Sequence, residues 1–558
     1  MSETSRPATP IDAIADAWVD VVAELSPTTA TYIGRFEFND RFGDYSPEGA
    51  ERYADAARHT LAQLDAAAPV DDIDAVTKAD LSRELRLDLE LHEARAGLRD
   101  LNVIASPAQD IRSVFDLMPT DTVEDWEVVA RRLHALPAAI DGYIATLRAG
   151  IAAGTVPARR QVLEVVTQIE RYTAETGFFA TFAGDAAPAE GQLPASLARE
   201  LADQSGAARV AYDDLARFLS TELVLVAGDQ DAVGRELYGL HSRRFLGAEI
   251  DLDETYEWGI EELARMVAEQ EAIANEILPG ASVAEAVAHL EADPSRKLHG
   301  TQALQEWMQA TSDRAVAELG RTHFDIAEPI RRLECMIAPT QEGGIYYTGP
   351  TDDFSRPGRM WWSVPEGVTE FDTWRELTTV YHEGVPGHHL QIAQAVYNRA
   401  QLNSWRRLLA GTSGHAEGWA LYAERLMEQL GYLDDPADRL GMLDGQRMRA
   451  ARVVLDIGVH LGKQRPDGAG IWDHDFALAF MRQNVNMPDA FIQFEVNRYL
   501  GWPGQAPSYK VGQRIWEQIR DDARDARGDA FSIKQFHKRA LDIGGVGLDT
   551  LRDALRDH

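Results

Sequence analysis

Apolar residues recur at every third or fourth position along most of the first three hundred residues, among Ala, Leu, Glu, Asp and Arg. That is the period of helices with one buried face. The first such segment is 11–25, and Ser26-Pro27 ends it. Segment 47–64 opens with Ser46 placed as N-cap and Pro47 as the first helical residue. Longer helical stretches follow over 75–98, 123–152 and 193–226, with breaks at Pro107, Pro119 and 184–188. The pattern shortens after Ile330. Segments 331–337, 344–348 and 359–364 are brief, rich in apolar and aromatic residues, and separated by Pro, Gly and Asp. They read as a small β-ribbon. Helical periodicity resumes from Asp372 to the end. The pattern predicts an all-α protein with one small ribbon. Residues 1–330 form an N-terminal helical half, and 331–558 a second half that carries the chemistry, within one integrated unit.

Composition narrows the function. The 558 residues include 55 basic and 90 acidic side chains, a net charge of −35. Such a chain repels phosphates and anionic lipid, so nucleic-acid and membrane-surface partners are not expected. The single cysteine, Cys335, allows no intrachain disulfide. With no signal-peptide pattern at the start and no apolar run of membrane length, the expectation is a cytoplasmic protein.

The chemistry concentrates in TVYHEGVPGHHLQI, residues 379–392. Imidazoles hold a metal while a carboxylate activates water, and His382, Glu383, His388 and His389 supply both kinds of group. Thr373 and Glu376 have capping-box spacing and start this helix near Asp372. In the common short motif the second histidine lies four residues after the first, but Pro386 occupies that position. Proline loosens the helix, and Gly384 and Gly387 make a widened turn inexpensive. The spacing admits either His388 or His389 as second ligand. The widened turn favours His388, with His389 supporting the site or touching substrate.

A catalytic zinc needs a third protein ligand and an open position. Segment 411–426, GTSGHAEGWALYAERL, starts a helix at Ser413 or Gly414 and offers Glu417 between small residues. Glu424 shares its face and is expected behind the ligands. A further helix over 447–461 carries Arg452, Asp456 and His460 on one stripe amid apolar residues. That stripe faces a polar cavity or is paired internally, and His460 is a candidate catalytic group. Arg356, Arg498, Gln505 and Lys510 lie near special turns, where one could hold a substrate C-terminal carboxylate and so make the enzyme a carboxypeptidase or dipeptidase. The ribbon at Tyr346 and Tyr347 offers a strand edge to an extended peptide.

Together HEGVPGHHLQ, EGWALYAE, RVVLDIGVH and RYLGWPGQAPSYKVG resemble the bacterial domain-of-unknown-function family 885 over nearly the whole chain. SPTTATYIGRFEFND (26–40) and DFSRPGRMWW (353–362) extend the likeness. The family is similar in pattern to helical zinc peptidases of the thimet oligopeptidase and angiotensin-converting-enzyme type. That likeness implies two helical halves around a deep channel, one Zn2+ on His382, His388 and Glu417, and Glu383 as general base. It also implies a phenol for the developing oxyanion, for which Tyr509 is the candidate. The expectation is a zinc peptidase for short peptides. The competing readings are a zinc amidase of non-peptide or cell-wall-derived amides and a non-catalytic metal-stabilised scaffold. A structural metal site would have no use for the base Glu383.

Overall fold

The computed structural model describes residues 6–338 and 344–556; the first five residues of the N-terminal stretch lie outside them. Helices dominate, and the only sheets among the described residues are a two-stranded and a three-stranded one. The all-α class with a small β element is therefore correct.

Most predicted segments form for the reasons read from sequence. Pro10–Leu25 is a helix that buries Ile11, Ala15, Trp18 and Val22 on one face. Ser46 caps Pro47–Ala66 by accepting from the Gly49 amide. Val123–Ala153 continues through Pro137, buried along much of its length. One core packs residues between Leu101 and Ala227, and a smaller one joins Trp18, Leu81 and Leu85 to Trp405. The largest runs from Tyr238 to Leu555, on both sides of residue 330. Asp80 also ties early to late sequence by accepting from the Gly547 amide and the Thr550 hydroxyl.

Strand β1 (Lys297–His299) pairs antiparallel with β5 (Glu370–Asp372). The ribbon is β2 (Leu333–Ile337), β3 (Ile345–Thr348) and β4 (Gly358–Trp362), in the order β2-β4-β3. Strand β4 lies parallel to β2 and antiparallel to β3, with Met360 opposite Cys335 and Tyr347. Its inner face buries Leu333, Cys335, Met360 and Trp362 against Leu304, Met308 and Val380. The ribbon thus packs on the helix that ends in His382-Glu383.

The helices that build the site are labelled in chain order: α1 (Leu252–Ile277), α2 (Thr373–Glu383), α3 (His388–Tyr397), α4 (Ser413–Gln429), α5 (Pro436–His460), α6 (Asp489–Gly501) and α7 (Ser508–Arg527). Helix α4 meets α7 backbone to backbone. A Cβ on Gly418 would stand 2.4 Å from the Gly512 carbonyl carbon, and one on Gly512 would stand 2.3 Å from the Gly414 carbonyl oxygen. Only glycine permits this approach, which brings the Glu417 turn against the start of α7.

Candidate metal centre

Helix α2 begins at Thr373, one residue earlier than a capping box with Thr373 as N-cap requires. Asp372 is the N-cap, and the Thr373 hydroxyl donates instead to the Arg296 carbonyl. At its other end α2 stops at Glu383, and α3 starts afresh at His388. The proline therefore splits one helix into two rather than widening a turn within it. The linking turn is closed by the Gly387 amide donating to Tyr381 O at 3.0 Å and the His389 amide to Gly384 O at 3.1 Å. A Cβ on Gly387 would lie 1.9 Å from His382 O, so the turn needs glycine there. From the opposite helix, Trp419 Nε1 donates to Pro386 O at 2.9 Å and holds the turn in place.

The break brings the imidazoles of His382 and His388 edge to face, with ring centres 4.8 Å apart. Among the described residues, His382, Glu383 and His388 form the one group of three ligand-type side chains with ligand atoms within 4.8 Å of one another. Glu417, from the first turns of α4, joins them. Its Oε2 lies 3.3 Å from His382 Nε2 and 3.6 Å from His388 Nε2. Yet that buried oxygen makes no hydrogen bond of good geometry. Two donors bound to zinc at about 2.0–2.1 Å and tetrahedral angles stand roughly 3.3–3.4 Å apart. The donor set and its spacing fit a zinc-like ion held by His382, His388 and Glu417.

Two carboxylates thus reach the cluster. Glu417 fits the ligand position, because one of its oxygens stands at ligand spacing from both rings. Glu383 follows His382 directly and projects about 100° away around the helix axis. It fits the place beside the ion rather than on it.

Behind His382 lies a chain of hydrogen bonds with one polarity. Lys510 Nζ donates to Gln446 Oε1 at 2.6 Å, and Gln446 Nε2 donates to Glu424 Oε2 at 2.9 Å. Glu424 Oε1 accepts from His382 Nδ1 at 2.7 Å. With Nδ1 donating to Glu424, Nε2 is the ring atom that faces Glu417. Burial lowers the His382 imidazole, but Glu417 and Glu424 outweigh it and raise the ring to about 10. Two carboxylates on one imidazole call for a positive charge between them. His388 has no such brace, since its buried Nδ1 has no hydrogen-bond partner among the described residues.

Other sequence candidates fall in different places. His389 has both nitrogens engaged: Nε2 donates to Ile330 O at 2.7 Å and Nδ1 accepts from Tyr347 Oη at 2.9 Å. Burial pushes this ring down to about 4, so it is neutral and ties α3 to the ribbon. Lys510 is buried behind Glu424, where it also pairs with Glu262 at 3.0 Å, and so does not face a substrate. Arg356 closes its own loop through the carbonyls of Pro357 and Gly349. Gln505 is buried with Oε1 unpartnered.

The stripe on α5 is paired internally. Asp456 Oδ2 accepts from Tyr238 Oη at 2.7 Å and the Gly504 amide at 2.9 Å. Buried His460 donates from Nε2 to Tyr499 O at 3.0 Å and stacks on Tyr238. With no accessible surface and, among the described residues, no hydrogen bond to the cluster, His460 serves the α5–α6 junction, contrary to its proposed catalytic part. Arg452 donates to Tyr499 Oη at 2.6 Å and Glu495 at 2.7 Å. Its guanidinium also lies 5.2 Å from the Tyr509 ring centre. Tyr509 opens α7 in the neighbourhood of Glu417. Burial and then the Glu417 carboxylate raise its phenol, against the pull of Arg452, Arg498 and Arg449. It stays a hydrogen-bond donor at neutral pH.

Sequence reasoning missed Gln446 and Arg449. Both lie on α5 just before the predicted stripe, and only tertiary packing marks them. A cavity of about 670 Å³ lined by Tyr45, Tyr53, His92 and Tyr143 lies in the N-terminal half and includes no residue of the cluster. Among the described residues, no helix is long and apolar enough to cross a membrane.

Comparison with known proteins bears on the family part of the resemblance in sequence. The chain aligns over 99% of its length, and 99% of the other chain, with a "putative lipoprotein" from Colwellia psychrerythraea, at 22% identity and a TM-score of 0.85. It also aligns over 98% of its length with a "putative lipoprotein of unknown function" from Shewanella oneidensis, covering 99% of that chain at 17% identity and a TM-score of 0.75. These likenesses establish the fold alone. No curated protein matches the chain. The family described as "Bacterial protein of unknown function (DUF885)" matches residues 27–555, and the chain belongs to it.

Proposed function

We propose that this protein is a zinc-dependent hydrolase, a metallopeptidase acting on short peptides. The observation that carries the reading is Glu417 Oε2, held at 3.3 and 3.6 Å from two imidazole Nε2 atoms and making no hydrogen bond of its own. His382, His388 and Glu417 would hold the ion. When bound there, zinc would supply a Lewis acid that polarises a scissile carbonyl and acidifies water. Glu383 takes the proton of the attacking water on its carboxylate and passes it to the leaving amine nitrogen. Tyr509 donates from Oη to the carbonyl oxygen as that oxygen gains charge. Glu424 keeps the His382 proton on Nδ1 and so keeps Nε2 free to bind.

The reading extends the resemblance in sequence pattern to helical zinc peptidases of the thimet oligopeptidase and angiotensin-converting-enzyme type, with one difference. The two histidines here sit on two helices joined by a glycine-proline turn. The outer edge of β3, which carries Tyr346 and Tyr347 and pairs with no further strand among the described residues, suits an extended peptide. A cytoplasmic location is part of the proposal. It rests on the single cysteine of the sequence, which leaves no intrachain disulfide to require an oxidising compartment. Cell fractionation tests it.

Digestion of a mixed peptide library with added zinc, with and without chelator, tests the activity by mass spectrometry. Chelator-sensitive cleavage is the expected result. Zinc bound at one ion per chain, with no cleavage of peptides or small amides, would favour the scaffold reading.

A further inference from the structure

Arginines gather on the Tyr509 side of the cluster in excess of their partners. Arg449 and Arg452 lie one turn apart on α5, at 6.0 and 5.2 Å from the Tyr509 ring centre. Arg498, on α6, stands 5.3 Å from the Tyr499 ring, whose hydroxyl accepts from Arg452. Two of these three guanidinium groups share one carboxylate at ion-pair distance, Glu495, at 2.7 Å from Arg452 and 3.5 Å from Arg498. Among the described residues, no carboxylate lies within ion-pair distance of Arg449, and its only hydrogen bond from Nη1 goes to Gly445 O. Arg498 Nε and Nη2 are buried without a hydrogen-bond partner, as is Gln505 Oε1 nearby in sequence. Buried guanidinium donors normally find acceptors.

Charge balance points the same way. The three arginines exceed Glu495 by two positive charges, whether or not an ion occupies the neighbouring cluster. This side of the cluster therefore has room for an anion. The Glu417 side chain keeps 22% of its surface accessible, and Tyr509, Arg449 and Arg498 are partly exposed, so solvent reaches this side of the cluster.

We infer that Arg449 and Arg498, backed by Arg452, form a clamp for the free C-terminal carboxylate of a peptide, which makes the enzyme an exopeptidase acting from that end. The inference rests on the peptidase reading for its chemistry but not for its binding. In the reaction, water gives its oxygen to the acyl carbon and a proton to the leaving amino nitrogen as the C–N bond breaks. Guanidinium groups suit this carboxylate because their planar donors match its two oxygens.

Calorimetric titration of the full-length protein, with added zinc and again in EDTA, uses a mixture of N-acetylated tripeptides as free acids or as C-terminal amides. The acids are expected to bind at least about tenfold tighter in both conditions, which separates the clamp from direct carboxylate–metal contact. Arg498→Gln and Arg449→Gln should each reduce that preference to about twofold or less, with melting temperature followed in parallel. Arg449 is partly exposed and has no carboxylate partner, so its variant keeps the test valid if Arg498→Gln fails to fold. Equal binding of acids and amides, no binding of either, or a preference surviving in Arg449→Gln would overturn the clamp. Hydrolysis is scored separately. Equal cleavage of acids and amides leaves the peptidase and removes the clamp, whereas acid-selective binding without cleavage leaves the clamp and removes the peptidase.

Discussion

Replacing Glu424 by glutamine tests the chain of hydrogen bonds behind His382, because that chain has only one workable polarity. Lys510 can only donate, so it fixes Gln446 Oε1 toward itself and Gln446 Nε2 toward Glu424. From the other side, His382 Nδ1 approaches to 2.7 Å as a donor. Position 424 must therefore accept at both of its terminal atoms, which a carboxylate does and a carboxamide cannot. In Glu424→Gln, one amide NH2 faces either Gln446 Nε2 or His382 Nδ1. Rotating Gln446 only moves the conflict to Lys510. The site is buried, so the unmade bond costs about 1–3 kcal/mol of folding stability. Relief by moving the Nδ1 proton to Nε2 would block the atom proposed to bind metal. Loss of such a supporting partner lowers metal affinity roughly 10–100-fold. Competition with a chromophoric chelator measures the affinity, and urea unfolding in EDTA measures the stability. Unchanged zinc affinity together with unchanged stability would refute the reasoning.

Other substitutions probe other links. Gly387→Ala puts a Cβ against the His382 carbonyl and should separate His388 from His382, seen as at least about a tenfold loss of zinc affinity by the same chelator titration, with helix content by circular dichroism little changed. Burial raises the Asp456 carboxyl to about 7, against Tyr238, the Gly504 amide and Arg498. The folded state thus holds this proton more tightly than the unfolded chain. The linked stability is complete below about pH 4 and is lost as pH rises through about 7. Asp456→Asn should accordingly flatten the fall in urea-unfolding stability over that window, and an unchanged slope would contradict the assignment. His382→Ala should leave the protein with little or no bound zinc by metal analysis, whereas full occupancy would exclude His382 as a ligand.

The helices and the ribbon were legible because their signals are local. Ser46-Pro47 marks a helix start by cap chemistry, and β4 alternates buried and half-buried residues as a strand should. The break at Pro386 was legible as a disturbance but not as two separate helices. Its form depends on Trp419 gripping the turn from another element. Thr373 misled for a similar reason, since its hydroxyl found the Arg296 carbonyl, far away in sequence. The polar stripe on α5 was visible, but sequence spacing does not say what it faces. Tyr238, Gly504 and Tyr499 took Asp456 and His460 into internal pairing. Lys510 stood beside a turn as a candidate carboxylate contact, yet α7 buries it against Glu262. Gln446 and Arg449 carried no motif, and their roles exist only once α5 lies beside α4 and α7.

The central claim is that Glu383 acts as a base beside a metal held by other residues, and one comparison tests it most directly. Wild type and Glu383→Gln, both supplied with zinc, are assayed on a peptide that the wild type cleaves, with zinc content and melting temperature measured on the same samples. The account predicts nearly equal zinc content and melting temperature, and hydrolysis lower in the variant by at least about a hundredfold, the scale of losing a positioned acid–base group. Equal rates of cleavage by the two proteins would contradict it.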